Sequence, residues 1–265
     1  MMNWLKQLDP LWWPLLGINV FALSTVLIFA AIRKKNPKIP ALDELDRRHH
    51  SKFLNRWFKE YWYWVTSPVE KVALKLRLSP NFFTTLGFLI AALGGVFYFY
   101  NHLGLAGWCV ILGGTCDMFD GRIARLTQRS SASGAFYDSV MDRFGEMLCL
   151  MGLAAHYRET WVFWFVILGV IGSMMVSYAR ARGEAVGVLC QEGAMQRPER
   201  IVYLGVGSIF SPILWKFLNV LFPALRQDFL LVIVIVMIGV MTNLTAIHRT
   251  LWIYRELDKK PKTSL

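Results

Sequence analysis

Seven stretches of this chain are long and apolar enough to cross a lipid bilayer, and nothing else in the sequence limits the fold so strongly. They fall at about 11–32, 81–101, 103–122, 135–156, 160–181, 201–223 and 229–250, each near the ~20 residues that a spanning helix needs. Composition agrees. Hydrophobic residues make up 55% of the 265 and charged residues only 18%, against about 25% charged in soluble domains. Disorder, collagen and a coiled coil are excluded by the same figures. The net charge is +11. In so apolar a chain this marks cytoplasmic loops and phosphate-bearing substrates, not nucleic acid. Cys109, Cys116, Cys149 and Cys190 are scattered, with neither a disulfide framework nor zinc-site spacing.

The reading is an all-α polytopic membrane protein: a six-helix transmembrane bundle, one extra N-terminal transmembrane helix and an interfacial amphipathic segment. Residues 1–36 form the leading helix. Arg33, Lys34 and Lys35 follow its apolar run directly, which suits a retained helix with its N-terminus outside and not a cleaved signal. Residues 37–64 form a basic connector. Between 33 and 79 the chain carries twelve Lys/Arg against five acids, so the positive-inside rule places this stretch in the cytoplasm. From Phe53 to Trp64, aromatic residues interleave with Arg56, Lys59 and Glu60, as suits the headgroup layer. Residues 65–254 hold the six-helix domain, and 255–265 a cytoplasmic tail. The connections near 122–133 and 180–200 are rich in Arg while those near 101–104 and 156–159 are nearly free of it. Six helices with both ends inside should alternate in this way.

The bundle contains four costly carboxylates. Asp117 and Asp120 lie near the end of its second helix, and Asp138 and Asp142 near the start of its third. At mid-bilayer one aspartate costs ~2.5–3.5 kcal/mol, so something must compensate four. Asp117, Asp120, Gly121 and Ala124 share one helical face, and Gly134, Asp138 and Asp142 share another. A short connection makes the two helices antiparallel neighbours. Converging carboxylates form a hard, all-oxygen site suited to Mg²⁺ or Mn²⁺. The small residues leave room for a ligand, and Arg125 offers a fork suited to phosphate. Salt bridges to Arg122, Arg125, Arg129 and Arg143 would neutralise charge, but they explain neither the shared faces nor the small residues.

The run Asp117-x2-Asp120-Gly121-x2-Ala124-Arg125-x8-Gly134-x3-Asp138-x3-Asp142 resembles the complete signature of the CDP-alcohol phosphotransferase family. The resemblance covers roughly residues 65–250 and implies a multi-pass enzyme of phospholipid biosynthesis. That enzyme transfers a substituted phosphate from a CDP-linked donor, typically CDP-diacylglycerol, to an alcohol and releases CMP. It implies two Mg²⁺ or Mn²⁺ ions on Asp117, Asp120, Asp138 and Asp142, with Asp142 also the general base. It further implies a homodimer and an active site facing the cytoplasm.

Ser79-Pro80-Asn81-Phe82-Phe83-Thr84 has the form of a helix start, with Ser79 as cap and Pro80 in the first turn. It also resembles the family's Pro-Asn-x-x-Thr element, which implies a CDP site of Asn81, Thr84, Gly121, Ala124, Arg125 and Gly134. Ser177, Arg180 and Arg182, with Arg197 and Arg200, resemble the acceptor elements of the inositol-phosphate-using branch. Arg180 and Gln196 depart from that pattern. Arginine forks match phosphate, so an acceptor bearing its own phosphate is expected, inositol phosphate first and glycerol 3-phosphate second. The alternatives are another acceptor, as in a phosphatidylglycerophosphate synthase-like enzyme, a cation-binding transporter, or a scaffold without activity.

Overall fold

A computed structural model describes residues 12–35, 56–190 and 192–259. The first eleven residues, 36–55 of the connector, Gln191 and 260–265 of the tail lie outside the described residues, and so do the parts of the expectations that fall on them. Among the described residues there are eight α-helices and no strand. These are α1 (Trp12–Lys35), α2 (Arg56–Lys75), α3 (Pro80–Phe99), α4 (Leu103–Leu126), α5 (Ala132–His156), α6 (Val162–Ala185), α7 (Arg197–Leu218) and α8 (Phe229–Asp258). By length and composition α1, α3, α6, α7 and α8 can cross a membrane. α4 and α5 are as long, at 24 and 25 residues; their acids and arginines lower their hydropathy.

The chain divides into two compact units, 1–78 and 79–265. In the first, buried Phe29 of α1 meets Trp57, Tyr61 and Trp64 of α2 at ring distances of 5.5, 5.7 and 5.5 Å. Beside this cluster Glu60 is buried and pairs with Arg33 at 2.8 Å and with Arg56 at 3.1 Å. The Thr25 and Tyr61 hydroxyls are 2.9 Å apart. α2 is continuous to Lys75, so the helix runs through the boundary expected at residue 64.

In the second unit α3 packs on both α4 and α5, α6 on α8, and α7 on α4 and α8. Ser79 caps α3, accepting from the Phe82 amide at 3.2 Å, with Pro80 in the first turn. Ser131 caps α5 in the same way, accepting from the Gly134 amide at 3.0 Å. Small residues set the helix spacing. A Cβ on Gly95 of α3 would lie 2.5 Å from the Leu148 carbonyl oxygen, and one on Gly152 of α5 would overlap the Gly95 carbonyl. With lipid on the outside there is little hydrophobic drive between helices, so such close backbone contact is what holds them together. The core, around Tyr98, Leu103, Leu153, Tyr157, Val162 and Leu231, fills the half of the bundle away from the acids. There Asp228, just before α8, accepts from the Tyr157 hydroxyl at 2.8 Å and from the Arg226 guanidinium at 2.9 Å twice.

Gly152→Ala should destabilise the protein by about 1–3 kcal/mol through overpacking, read as a lower melting temperature in detergent. Gly17→Ala, with nothing within 4 Å of the added carbon, should not. At Asp228 burial opposes ionisation, but the Arg226 and Tyr157 hydrogen bonds prevail and hold the carboxyl below the usual range. A depressed folded pKa gives stability that is full above the unfolded value of about 3.9 and is lost as pH falls through the folded value. The melting-temperature gap between wild type and Asp228→Asn should therefore be open at neutral pH and shrink in strong acid.

Candidate metal centre

The site lies at the end of the bundle where α4 finishes and α3, α5 and α7 begin. α4 brings Asp117 and Asp120 in its second half, α5 brings Asp138 and Asp142 in its first half, and α3 contributes Thr84. One carboxylate oxygen from each of Asp117, Asp120 and Asp138 can be chosen so that all three lie within 4.8 Å of one another. Asp120 is buried, and the Thr84 hydroxyl donates to its Oδ2 at 2.7 Å. Asp138 Oδ1 is buried and has no hydrogen-bond partner. A buried carboxylate oxygen without a donor is costly unless a cation is its partner. Three hard oxygen ligands and this orphaned atom fit Mg²⁺ or Mn²⁺.

Asp142 stands beside this trio and is held differently. The guanidinium of Arg197, the first residue of α7, donates from Nη2 to Asp142 Oδ1 at 2.7 Å. Its Nη1 lies 2.5 Å from Asp142 Oδ2 and 3.0 Å from Asp117 Oδ2. One guanidinium therefore bridges Asp117 and Asp142. One turn deeper, Arg200 donates to Glu146, Nε to Oε1 at 2.6 Å and Nη2 to Oε2 at 2.9 Å. Asp138, Asp142 and Glu146 follow at i, i+4 and i+8, so one face of α5 carries all three. Beside them lies a cavity of about 60 Å³, bordered by Asp117, Asp142, Glu146, Arg197 and Arg200 and by mostly apolar residues such as Phe88.

The expected residues fall into three groups. Asp117, Asp120 and Asp138 come together, with Asp142 linked to them through Arg197. Around them, Thr84 is committed to Asp120, and Asn81 Oδ1 is 3.8 Å from where a Gly134 Cβ would stand. Gly121 and Ala124 are half-buried and Arg125 is exposed on α4. Of the arginines expected at the acceptor, Arg197 reaches the acids and Arg200 is buried on Glu146. Arg180 pairs with Glu184 on α6 at 2.9 Å, Arg182 is exposed and Ser177 is half-buried. Sequence reasoning did not single out Glu146, although its i+4 spacing from Asp142 was available as a signal.

The chain matches the family model described as CDP-alcohol phosphatidyltransferase over residues 77–244. It is 36% identical to an archaetidylinositol phosphate synthase of Pyrococcus horikoshii, over 56% of this chain and 80% of that one. It is 30% identical to a phosphatidylinositol phosphate synthase of Mycobacteroides abscessus, over 56% of this chain and 69% of that one. Its fold resembles the crystal structure of Mycobacterium tuberculosis phosphatidylinositol phosphate synthase with CDP-DAG bound. The TM-score is 0.61 and the identity 24%, over 72% of this chain and 94% of that one. A second crystal structure of that synthase, in complex with manganese and citrate, gives 0.62 at 23% identity, over 71% and 88%. On the family match and these relatives, the chain is a phosphatidyltransferase and belongs to the CDP-alcohol phosphatidyltransferase family.

Proposed function

We propose that this enzyme transfers a phosphatidyl group from CDP-diacylglycerol to the hydroxyl of a small alcohol that itself bears a phosphate. The observation that carries the reading is the cluster of Asp117, Asp120 and Asp138 beside Asp142 and Arg197. The names of the relatives support inositol phosphate as the first acceptor, with glycerol 3-phosphate second. Membership of an enzyme family displaces the transporter and scaffold readings. The bundle α3–α8 crosses the membrane six times, α1 once, and α2 lies in the interface. The Arg-rich connections support a site on the cytoplasmic side.

In this reading Asp117, Asp120 and Asp138 hold two Mg²⁺ or Mn²⁺ ions, with Asp142 completing the set. When bound, the ions supply Lewis acidity at the diphosphate and neutralise charge on the departing CMP. Asp142 takes the proton of the acceptor hydroxyl. That oxygen bonds to the phosphorus carrying the diacylglycerol, and the bond from that phosphorus to the CMP oxygen breaks with its electron pair leaving on CMP. Arg197 orients Asp142 through its two contacts and presents positive charge to the acceptor's phosphate. Arg180, Arg182 and Ser177, at the end of α6, serve the same phosphate. Arg200, with its fork on Glu146, supports the site from below. Asn81, Gly121, Ala124, Arg125 and Gly134 border the CDP.

Purified enzyme in detergent should release CMP from CDP-diacylglycerol only with a phosphorylated acceptor, and EDTA should stop it. Asp117→Asn or Asp138→Asn should lose Mn²⁺ binding, read by electron paramagnetic resonance, together with CMP release. A variant that keeps both would sink the metal assignment. Asp142→Asn should keep donor affinity and lose ~10²-fold or more in kcat. Arg182→Ala should raise acceptor KM with donor KM nearly unchanged; efficient use of free inositol or serine would remove the phosphate-acceptor reading.

A further inference from the structure

The connection from α6 to α7 delivers Arg197 to the acids, and α8 holds that connection at several points. Arg249 of α8 is 2% exposed, yet its guanidinium serves main-chain oxygens: Nε donates to the Glu192 carbonyl at 2.6 Å and Nη1 to the Val176 carbonyl at 3.0 Å. A buried guanidinium is expensive unless its hydrogen bonds are made, and these bonds join the connection to both α6 and α8. One turn earlier Thr245, also buried, accepts from the Met195 amide at 3.2 Å. Between these points Gly193 has φ +131°, and a Cβ there would lie 2.5 Å from Thr245 Cγ2 and 3.3 Å from Arg249 Nε. The glycine is therefore required both by its backbone angle and by contact with α8. Met195 stands two residues before Arg197, and its carbonyl accepts from Arg200 Nη1 at 3.4 Å. Arg197 is thus bracketed, by α8 on its N-terminal side and by the Glu146–Arg200 pair on the other. Gln196, at the cap of α7, donates from Nε2 to the Gly193 carbonyl at 3.4 Å.

We propose that Thr245 and Arg249 are positioning residues for Arg197. They set the start of α7 so that the Arg197 guanidinium lands on Asp142 and Asp117, and they touch no substrate themselves. Both fall beyond residues 77–244, the span matched to the family. The kinetic consequence rests on the reaction proposed above; the structural consequence does not.

The test uses the full-length enzyme in detergent, comparing wild type with Thr245→Val, Arg249→Met and Arg249→Lys, and reads two signals. Hydrogen exchange by mass spectrometry should show faster exchange across residues 192–200 in Thr245→Val and Arg249→Met, with α3–α5 unchanged and Arg249→Lys between. This arm holds whatever the substrate. With CDP-diacylglycerol and inositol phosphate, the same variants should lower kcat/KM for the acceptor about tenfold or more, the scale of a small misplacement. Donor KM should stay within about twofold, and Thr245→Val should add nothing in an Arg197→Ala background. Unchanged exchange across 192–200 overturns the proposal. So does a Thr245→Val effect that persists without Arg197, or an equal loss for both substrates with a general fall in melting temperature. Absence of CMP release in wild type with the exchange result intact would overturn the proposed reaction and leave the positioning role standing.

Discussion

The ion pairs of Arg197 decide how this site can exist at the end of an apolar bundle. Four carboxylates converge there, and one guanidinium reaches two of them. Arginine suits the task because its planar fork engages two acceptors in one geometry and keeps its charge when desolvated. The bond runs between α5 and α7, helices that otherwise pack little on each other, so it ties the start of α7 to the acids. The Glu146–Arg200 pair repeats the arrangement one turn deeper. Removing Glu146 would leave the buried Arg200 charge uncompensated.

Close backbone contact supplies the rest. The acids can face one another only if α3, α4 and α5 approach nearer than ordinary side chains allow, and glycines on α3 and α5 make that possible. The same approach brings the Thr84 hydroxyl to Asp120, so packing and electrostatics meet in a single hydrogen bond. At the end away from the acids α3 and α5 stay in close contact at Gly95 and Gly152, and Tyr98 and Tyr157 are buried in the core there.

Much of this was legible in the chain itself. The apolar segments and the i, i+3, i+4 spacing of the acids determine local geometry, so Asp117, Asp120 and Asp138 could be assigned to converging faces. What escaped were contacts that depend on reach across the fold. Thr84 and Asp120 are 36 residues apart, and Arg197 and Asp142 are 55 apart; no periodicity encodes such partners. Arg197 and Arg200, expected at the acceptor, also face Asp117, Asp142 and Glu146, carboxylates that a sequence does not display beside them. Helices also extend past their apolar runs. α8 continues to Asp258 and α7 starts at Arg197, since hydropathy marks the apolar slab and not the helix that projects beyond it. Pro198 also fits the first turn of α7 without disturbing it.

α8 is 30 residues long, or ~45 Å at ~1.5 Å per residue, against a hydrocarbon layer of ~30 Å. Arg249 comes twenty residues after Phe229, ~30 Å along the axis, and Met195 bonds to Thr245 one turn before it. In the proposed membrane arrangement the acids that Arg197 touches would sit near the depth of lipid headgroups. In the proposed reaction a lipid donor would reach this depth by lateral diffusion within one leaflet, with the acyl chains never leaving it, while a phosphorylated alcohol would arrive from water. The two substrates would then obey different concentration scales, the mole fraction of donor in the bilayer and the molarity of acceptor in solution.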